Sequence, residues 1–142
     1  MPRGFTKTTQ AAASGKDMEH SRRIMIVEDE RIVAMDISSM LRRLGHEICA
    51  VACSGEEALR LVPEASPEVI LMDIMLEGPM DGVEAARRIR RDYGIPVIYA
   101  TAYTDEHTRL RAKETNPGGF LAKPVNSRSL EEAIQAVFDP PA

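Results

Sequence analysis

The chain has 142 residues, 44% of them hydrophobic and 28% charged, and a net charge of −4. That length and balance suit a single globular domain with a buried core. The acidic balance, the lack of Trp and an aromatic content of 4% exclude a nucleic-acid-binding body and a base-stacking platform, and no apolar run approaches the ~20 residues of a membrane span.

Residues 1–22 are rich in Gly, Ser, Thr, Lys and Ala without apolar periodicity, and read as a flexible tail with no secretory core. Ile24–Val27 is a short apolar strand that runs into Glu28-Asp29. A helix from about Glu30 to Leu44 follows, with Val33, Ile37, Leu41 and Leu44 on one face, and Gly45 stops it. The second strand is roughly Glu47–Ala52. Ser54 caps the second helix with Glu57 three residues on, a capping-box spacing, and Pro63 lies near the helix end. Cys49 and Cys53 would stand about 13 Å apart on an extended strand, too far to bridge, and read as small buried hydrophobes. His20, His46 and His107 are isolated in sequence and read as surface residues.

Val69-Ile70-Leu71-Met72 is an unbroken apolar run ending at Asp73, between Pro67 and Gly78-Pro79. A run of this kind is a strand buried on both faces, which requires helices on both sides of a parallel sheet. The loop from Ile74 to Gly82 leads to a third helix from about Val83 to Asp92, whose cluster Arg87-Arg88-Arg90-Arg91 reads as a solvated face. A fourth strand, Val97–Ala100, ends at Thr101. A fourth helix covers about Asp105 to Glu114 and ends at Asn116-Pro117-Gly118-Gly119. A fifth strand, Phe120–Ala122, ends at Lys123. Asn126 caps a fifth helix with Leu130, Ile134 and Val137 inward. Five β-α units predict a doubly wound α/β fold: a parallel five-stranded sheet of flavodoxin-like (βα)5 type, strand order 2-1-3-4-5. That order sets strands one and three side by side at the switch point, where ligands bind and where Glu28, Asp29 and Asp73 converge.

Three converging carboxylates repel one another unless a cation joins them. Oxygen ligands select a hard divalent ion, magnesium or calcium. Lys123 is a compact charge for a phosphoryl oxygen, Thr101 offers a hydroxyl, and Asp73 is placed to act as a nucleophile that forms an aspartyl phosphate.

The ordered set Val27-Glu28-Asp29-Glu30, Met72-Asp73-Ile74-Met75, Asp81-Gly82, Ala100-Thr101-Ala102 and Lys123-Pro124 resembles the receiver domain of two-component response regulators, over about residues 23–139. The resemblance implies a tail over 1–22 and a receiver domain over 23–142. It implies that Asp73 is the phosphoacceptor, charged by a histidine kinase or histidine phosphotransfer protein with Mg2+ as cofactor. Glu28, Asp29, Asp73 and the backbone carbonyl of Met75 would hold the ion, and Lys123 would pair with Asp73 and then with the phosphoryl group. Thr101 and Phe120 would switch together, and Lys123-Pro124 would be a cis peptide. The output would be a downstream protein bound through the fourth helix, fifth strand and fifth helix, with no nucleic acid and no membrane involved. The chain would be a cytoplasmic monomer or weak homodimer and no enzyme beyond its own phosphorylation and dephosphorylation. Since the receiver uses up the chain, it is expected to be stand-alone, the alternative being a receiver excised from a longer response regulator or hybrid kinase. Glu77 stands where many receivers have Pro, and the loop before Asp81-Gly82 is about one residue longer than usual. Met75 and Ala102 should influence the lifetime of the phosphorylated state, which is expected to be moderate. A haloacid-dehalogenase-like phosphatase is the rival reading. It lacks its usual second Asp, since Met75 occupies that place.

Overall fold

The computed structural model describes residues 20–102 and 105–140. The tail expected over residues 1–22 lies outside the described residues up to 19. Its last residue, Arg22, belongs to the folded body, with its guanidinium 3.9 Å from the centre of the Phe138 ring. The described elements run β1 (Arg23–Val27), α1 (Arg31–Arg43), β2 (Glu47–Ala52), α2 (Gly55–Ala65), β3 (Val69–Asp73), α3 (Gly82–Tyr93), β4 (Val97–Thr101), α4 (Glu106–Glu114), β5 (Gly119–Ala122) and α5 (Ser127–Phe138). All sheet pairings are parallel, in the order β2-β1-β3-β4-β5. The expected topology is therefore the observed one.

The two-residue period of the strands divides the core in two. Met25, Val27, Ile70, Met72, Val97 and Tyr99 face one side, under α2, α3 and the single buried α4 residue, Ala112. Ile24, Ile26, Val69, Leu71, Ile98 and Ala100 face the other, under α1 and α5. At roughly 1.5–3 kcal/mol per buried aliphatic side chain, these two layers are the main force holding β1 and β3 together, and with them the ends of both strands.

Local signals set the helix starts. Ser54, Asp81, Asp105 and Asn126 each accept a backbone N–H three residues on. Glu57 completes its capping box one residue early, on the Cys53 N–H at 2.7 Å. Helix α2 continues through Pro63 to Ala65 before Ser66 turns left-handed. The Lys123-Pro124 peptide is cis, as expected. The Arg87-Arg88-Arg91 face is solvated and paired with Glu84 and Asp92.

Two expectations fail. His46 is buried, not at the surface: its Nδ1 accepts the Arg22 N–H at 3.1 Å and its Nε2 lies 2.8 Å from Glu131. It ties the entry of β1 to α5, a link that no local pattern could announce. Cys49 is only half-buried and Cys53 is exposed, because β2 is an edge strand and Cys53 lies past its end.

Candidate functional site

The carboxyl ends of β1 and β3 meet at the switch point. Glu28 follows β1 and is 3% exposed, and Asp73 closes β3 at 6% exposed. With half-buried Asp29 they form a group in which one oxygen from each lies within 4.8 Å of the others. The loops from β1, β3, β4 and β5 enclose an open crevice of about 360 Å³, lined by Asp29, Glu30, Asp73, Met75, Glu77, Ala102 and Lys123.

Glycine 82 makes the close approach possible. A Cβ there would stand 2.0 Å from the Asp73 backbone oxygen. The bare backbone lets the Gly82 N–H reach the Ile74 carbonyl at 3.0 Å, so α3 begins tight against the end of β3. Asp81, just before it, caps α3 and also takes the Arg111 guanidinium of α4 at 3.0 and 3.4 Å.

Each carboxylate is held by a main-chain amide. Glu28 Oε2 accepts Glu30 N–H at 3.0 Å, Asp73 Oδ1 accepts Met75 N–H at 3.0 Å, and Asp29 Oδ2 accepts Glu77 N–H at 3.1 Å. Lys123 bridges two of the remaining oxygens, with Nζ 2.7 Å from Glu28 Oε1 and 3.3 Å from Asp73 Oδ2. The shorter of these contacts is to Glu28, a partner that the sequence did not assign to the lysine.

Burial raises the Glu28 carboxyl above the ordinary glutamate range, opposed by its bonds to Lys123 and the Glu30 amide and reinforced by the charge of Asp73. Burial also works against the Lys123 ammonium, but Glu28 and Asp73 outweigh it and hold the lysine charged. One ammonium against three carboxylates leaves a deficit of positive charge. The donor set is all oxygen. The residues therefore fit a hard divalent cation.

The remaining expected residues fall around this centre. Thr101 ends β4, half-buried, and its carbonyl accepts Lys123 N–H at 2.9 Å. It precedes Ala102, which lines the crevice. Met75 lines it too and is 58% exposed, so its side chain is no core packing. Phe120 is 37% exposed on β5, with its ring 5.6 Å from that of Tyr99 and 5.9 Å from the Arg109 guanidinium. It is not a plain core residue. Tyr99 beneath it is fully buried and its hydroxyl meets Thr115 Oγ1 at 2.7 Å. The sequence reading missed Arg111, Thr115 and the three amides. The Asp81 cap was legible as an Asp before a helix, but its partner is 30 residues away and has no local sign.

The response regulator receiver domain family matches residues 24–135. The chain belongs to that family. It is similar to the transcriptional regulatory protein AfsQ1 of Streptomyces coelicolor, 37% identical over 81% of this chain and 50% of that protein. It is also similar to the transcriptional regulatory protein PdtaR of Mycobacterium tuberculosis, 33% identical over 80% of this chain and 55% of that one. This receiver thus spans about half the length of these curated relatives. Among solved structures it resembles the signal receiver domain of a modulated diguanylate cyclase from Desulfovibrio desulfuricans G20, with a TM-score of 0.80 and 40% identity, covering 82% of this chain and 93% of that one. No helix among the described residues is long and apolar enough to cross a membrane.

Proposed function

We propose that this receiver is a phosphorylation-controlled binding module of the cytoplasm in which Asp73 accepts a phosphoryl group. The observation that carries the proposal is Asp73 itself. It is a carboxylate at the mouth of the switch-point crevice, 3.3 Å from a charged lysine and within 4.8 Å of two further carboxylates.

In the transfer step an Asp73 oxygen attacks phosphorus in line with the leaving group. The donor is a phosphohistidine of a kinase or phosphotransfer protein. The new O–P bond forms as the N–P bond breaks, and the imidazole nitrogen leaves with the bonding pair and is protonated by solvent. Phosphoryl transfer needs mainly positioning and charge neutralisation. Met75 N–H orients the nucleophile, and Lys123, already charged, turns from the carboxylates to the incoming phosphoryl oxygens. Glu28, Asp29, Asp73 and the Met75 carbonyl are the groups that would hold Mg2+. When bound, the ion neutralises phosphoryl charge. The Thr101 hydroxyl then donates to the phosphoryl group, and its movement is relayed to Phe120 one strand over, since Thr101 pairs with Ala122 and Tyr99 with Phe120 in the β4–β5 register. The face formed by α4, β5 and α5 carries exposed Phe120 and Leu110 and is the surface offered to a protein target.

Beryllium fluoride with Mg2+, which mimics an aspartyl phosphate, tests the switch by amide exchange. Changed protection confined mainly to α4, β5 and the start of α5 in the wild type, and absent from Asp73→Ala, is the expected result. An unchanged face in a protein that binds the mimic would remove the switch.

A further inference from the structure

The loop between β3 and α3 makes a contact that distinguishes Asp29 from its two neighbours. All three carboxylates accept a main-chain N–H. For Glu28 and Asp73 the donor lies two residues on, in Glu30 and Met75. For Asp29 it is Glu77, 48 residues away, at 3.1 Å. Lys123 occupies the other oxygen of Glu28 and of Asp73, but it makes no ion pair with Asp29. Asp29 Oδ1 is thus the carboxylate oxygen of the group that neither an amide nor the lysine takes.

The loop is built to deliver the Glu77 amide. Leu76 and Met80 are both buried in the core layer beneath α2 and α3. Met80 packs against Gly55 at the start of α2, where a Cβ would meet its Cγ and its carbonyl oxygen at 3.2 Å. Only three residues join the two anchors, and the middle one, Gly78, has φ +101°, a conformation that side-chain-bearing residues rarely adopt. The Glu77 side chain is exposed at the rim; the bond to Asp29 uses the main chain alone. Any residue with an N–H could make it, and proline could not.

We propose that the Glu77 amide is the positioning group of the cation site: by holding Asp29 Oδ2 it fixes the carboxylate and presents Oδ1 to a divalent cation. An Asp without this bond samples several rotamers, and the ion must then order it on binding. The inference rests on the reading of the Glu28, Asp29 and Asp73 group as a magnesium site.

Calorimetric titration of MgCl2 into metal-free protein tests it, on wild type, Glu77→Pro, Glu77→Ala and Asp29→Ala, with thermal unfolding of each. Loss of an outer-shell partner weakens metal binding by about tenfold or more, so Glu77→Pro should bind Mg2+ about tenfold more weakly. Glu77→Ala keeps the N–H and loses only a screened rim charge, and should stay within about threefold of wild type. Amide exchange in metal-free protein gives a second arm that needs no loop variant: Glu77 N–H is protected in wild type and loses that protection in Asp29→Ala. Wild-type affinity in Glu77→Pro, equal losses in Glu77→Ala and Glu77→Pro, or an unprotected Glu77 amide would each overturn the proposal. A wild type that binds no Mg2+ overturns the cation reading and this inference with it, whereas a binding wild type matched by Glu77→Pro overturns the inference alone. If Glu77→Pro does not fold, the exchange arm decides.

Discussion

Asp73 and its two carboxylate neighbours are brought together at a cost to the resting fold. The charge of Asp73 adds to the burial that already raises Glu28. In magnesium-free buffer Asp73→Asn should therefore be more stable than wild type by about 1 kcal/mol, and added Mg2+ should shrink the gap. Chemical denaturation at neutral pH checks this, and a less stable Asp73→Asn would count against the repulsion. Asp81 has the opposite sign. Burial would raise it, but the Arg111 guanidinium, the Glu84 amide and the charge of Arg111 together hold its carboxyl below the ordinary aspartate range. A depressed folded value means that the stabilisation is present above the unfolded value of about 3.9 and is lost as pH falls through the lower folded one. Asp81→Asn keeps a good cap and loses the charge. It should cost about 0.5–1 kcal/mol at pH 7, and the difference should shrink in urea melts as pH is lowered through the acid range. Glu28, with its folded value raised, works the other way: its contribution is full below about pH 4.3 and falls away as pH rises through the raised value. At this scale the sequence showed the charged residues at the strand ends. It could not show their pairing, because Lys123 lies 95 residues from Glu28 and Arg111 lies 30 from Asp81.

At the scale of elements, what was legible was whatever has a local cause. The Ser54 and Asn126 caps, the stop at Gly45 and the buried run of β3 each depend on a few adjacent residues, and the structure contains all of them. His46 and Cys53 were misread because burial at an edge strand depends on what the last helix covers. His46 lies beside Glu131 of α5, while Cys53 has passed the end of β2. The junction of β3 and α3 is the least tolerant point of the site. Gly82→Ala would drive a methyl into the Asp73 carbonyl. It should cost about 3 kcal/mol or more, since overpacking of this severity forces backbone to move, and it should displace Asp73. Circular dichroism melts measure the first effect. A variant as stable as wild type would show that the junction has room. Helix α4 is the contrasting case. It buries only Ala112 and is otherwise held by the Asp81–Arg111 pair and the Thr115–Tyr99 contact. Its amides should exchange faster than those of α3 and α5 in the resting protein. Equal protection of the three helices would contradict this.

The whole molecule combines a stiff frame with a loosely held edge. Two apolar layers fix the central strands β1, β3 and β4, which carry Glu28, Asp29, Asp73 and Thr101 at their ends. The elements expected to respond, α4 and β5, lie at one edge and contribute little to either layer. The topology and the convergence of Glu28, Asp29 and Asp73 were both readable from alternating strand and helix signals. The lysine's bridge and the Glu77 amide bond to Asp29 depend on contacts that only the folded chain brings together. The central claim is that Asp73 takes up a phosphoryl group. Intact mass after incubation with acetyl phosphate, with and without Mg2+, on wild type and Asp73→Ala, tests it most directly. One phosphoryl group, a gain of about 80 Da for an acyl phosphate formed by group transfer, on wild type alone and only with Mg2+, is the predicted result. An equal gain on Asp73→Ala, or none on wild type with either acetyl phosphate or a phosphorylated histidine kinase as donor, would contradict it.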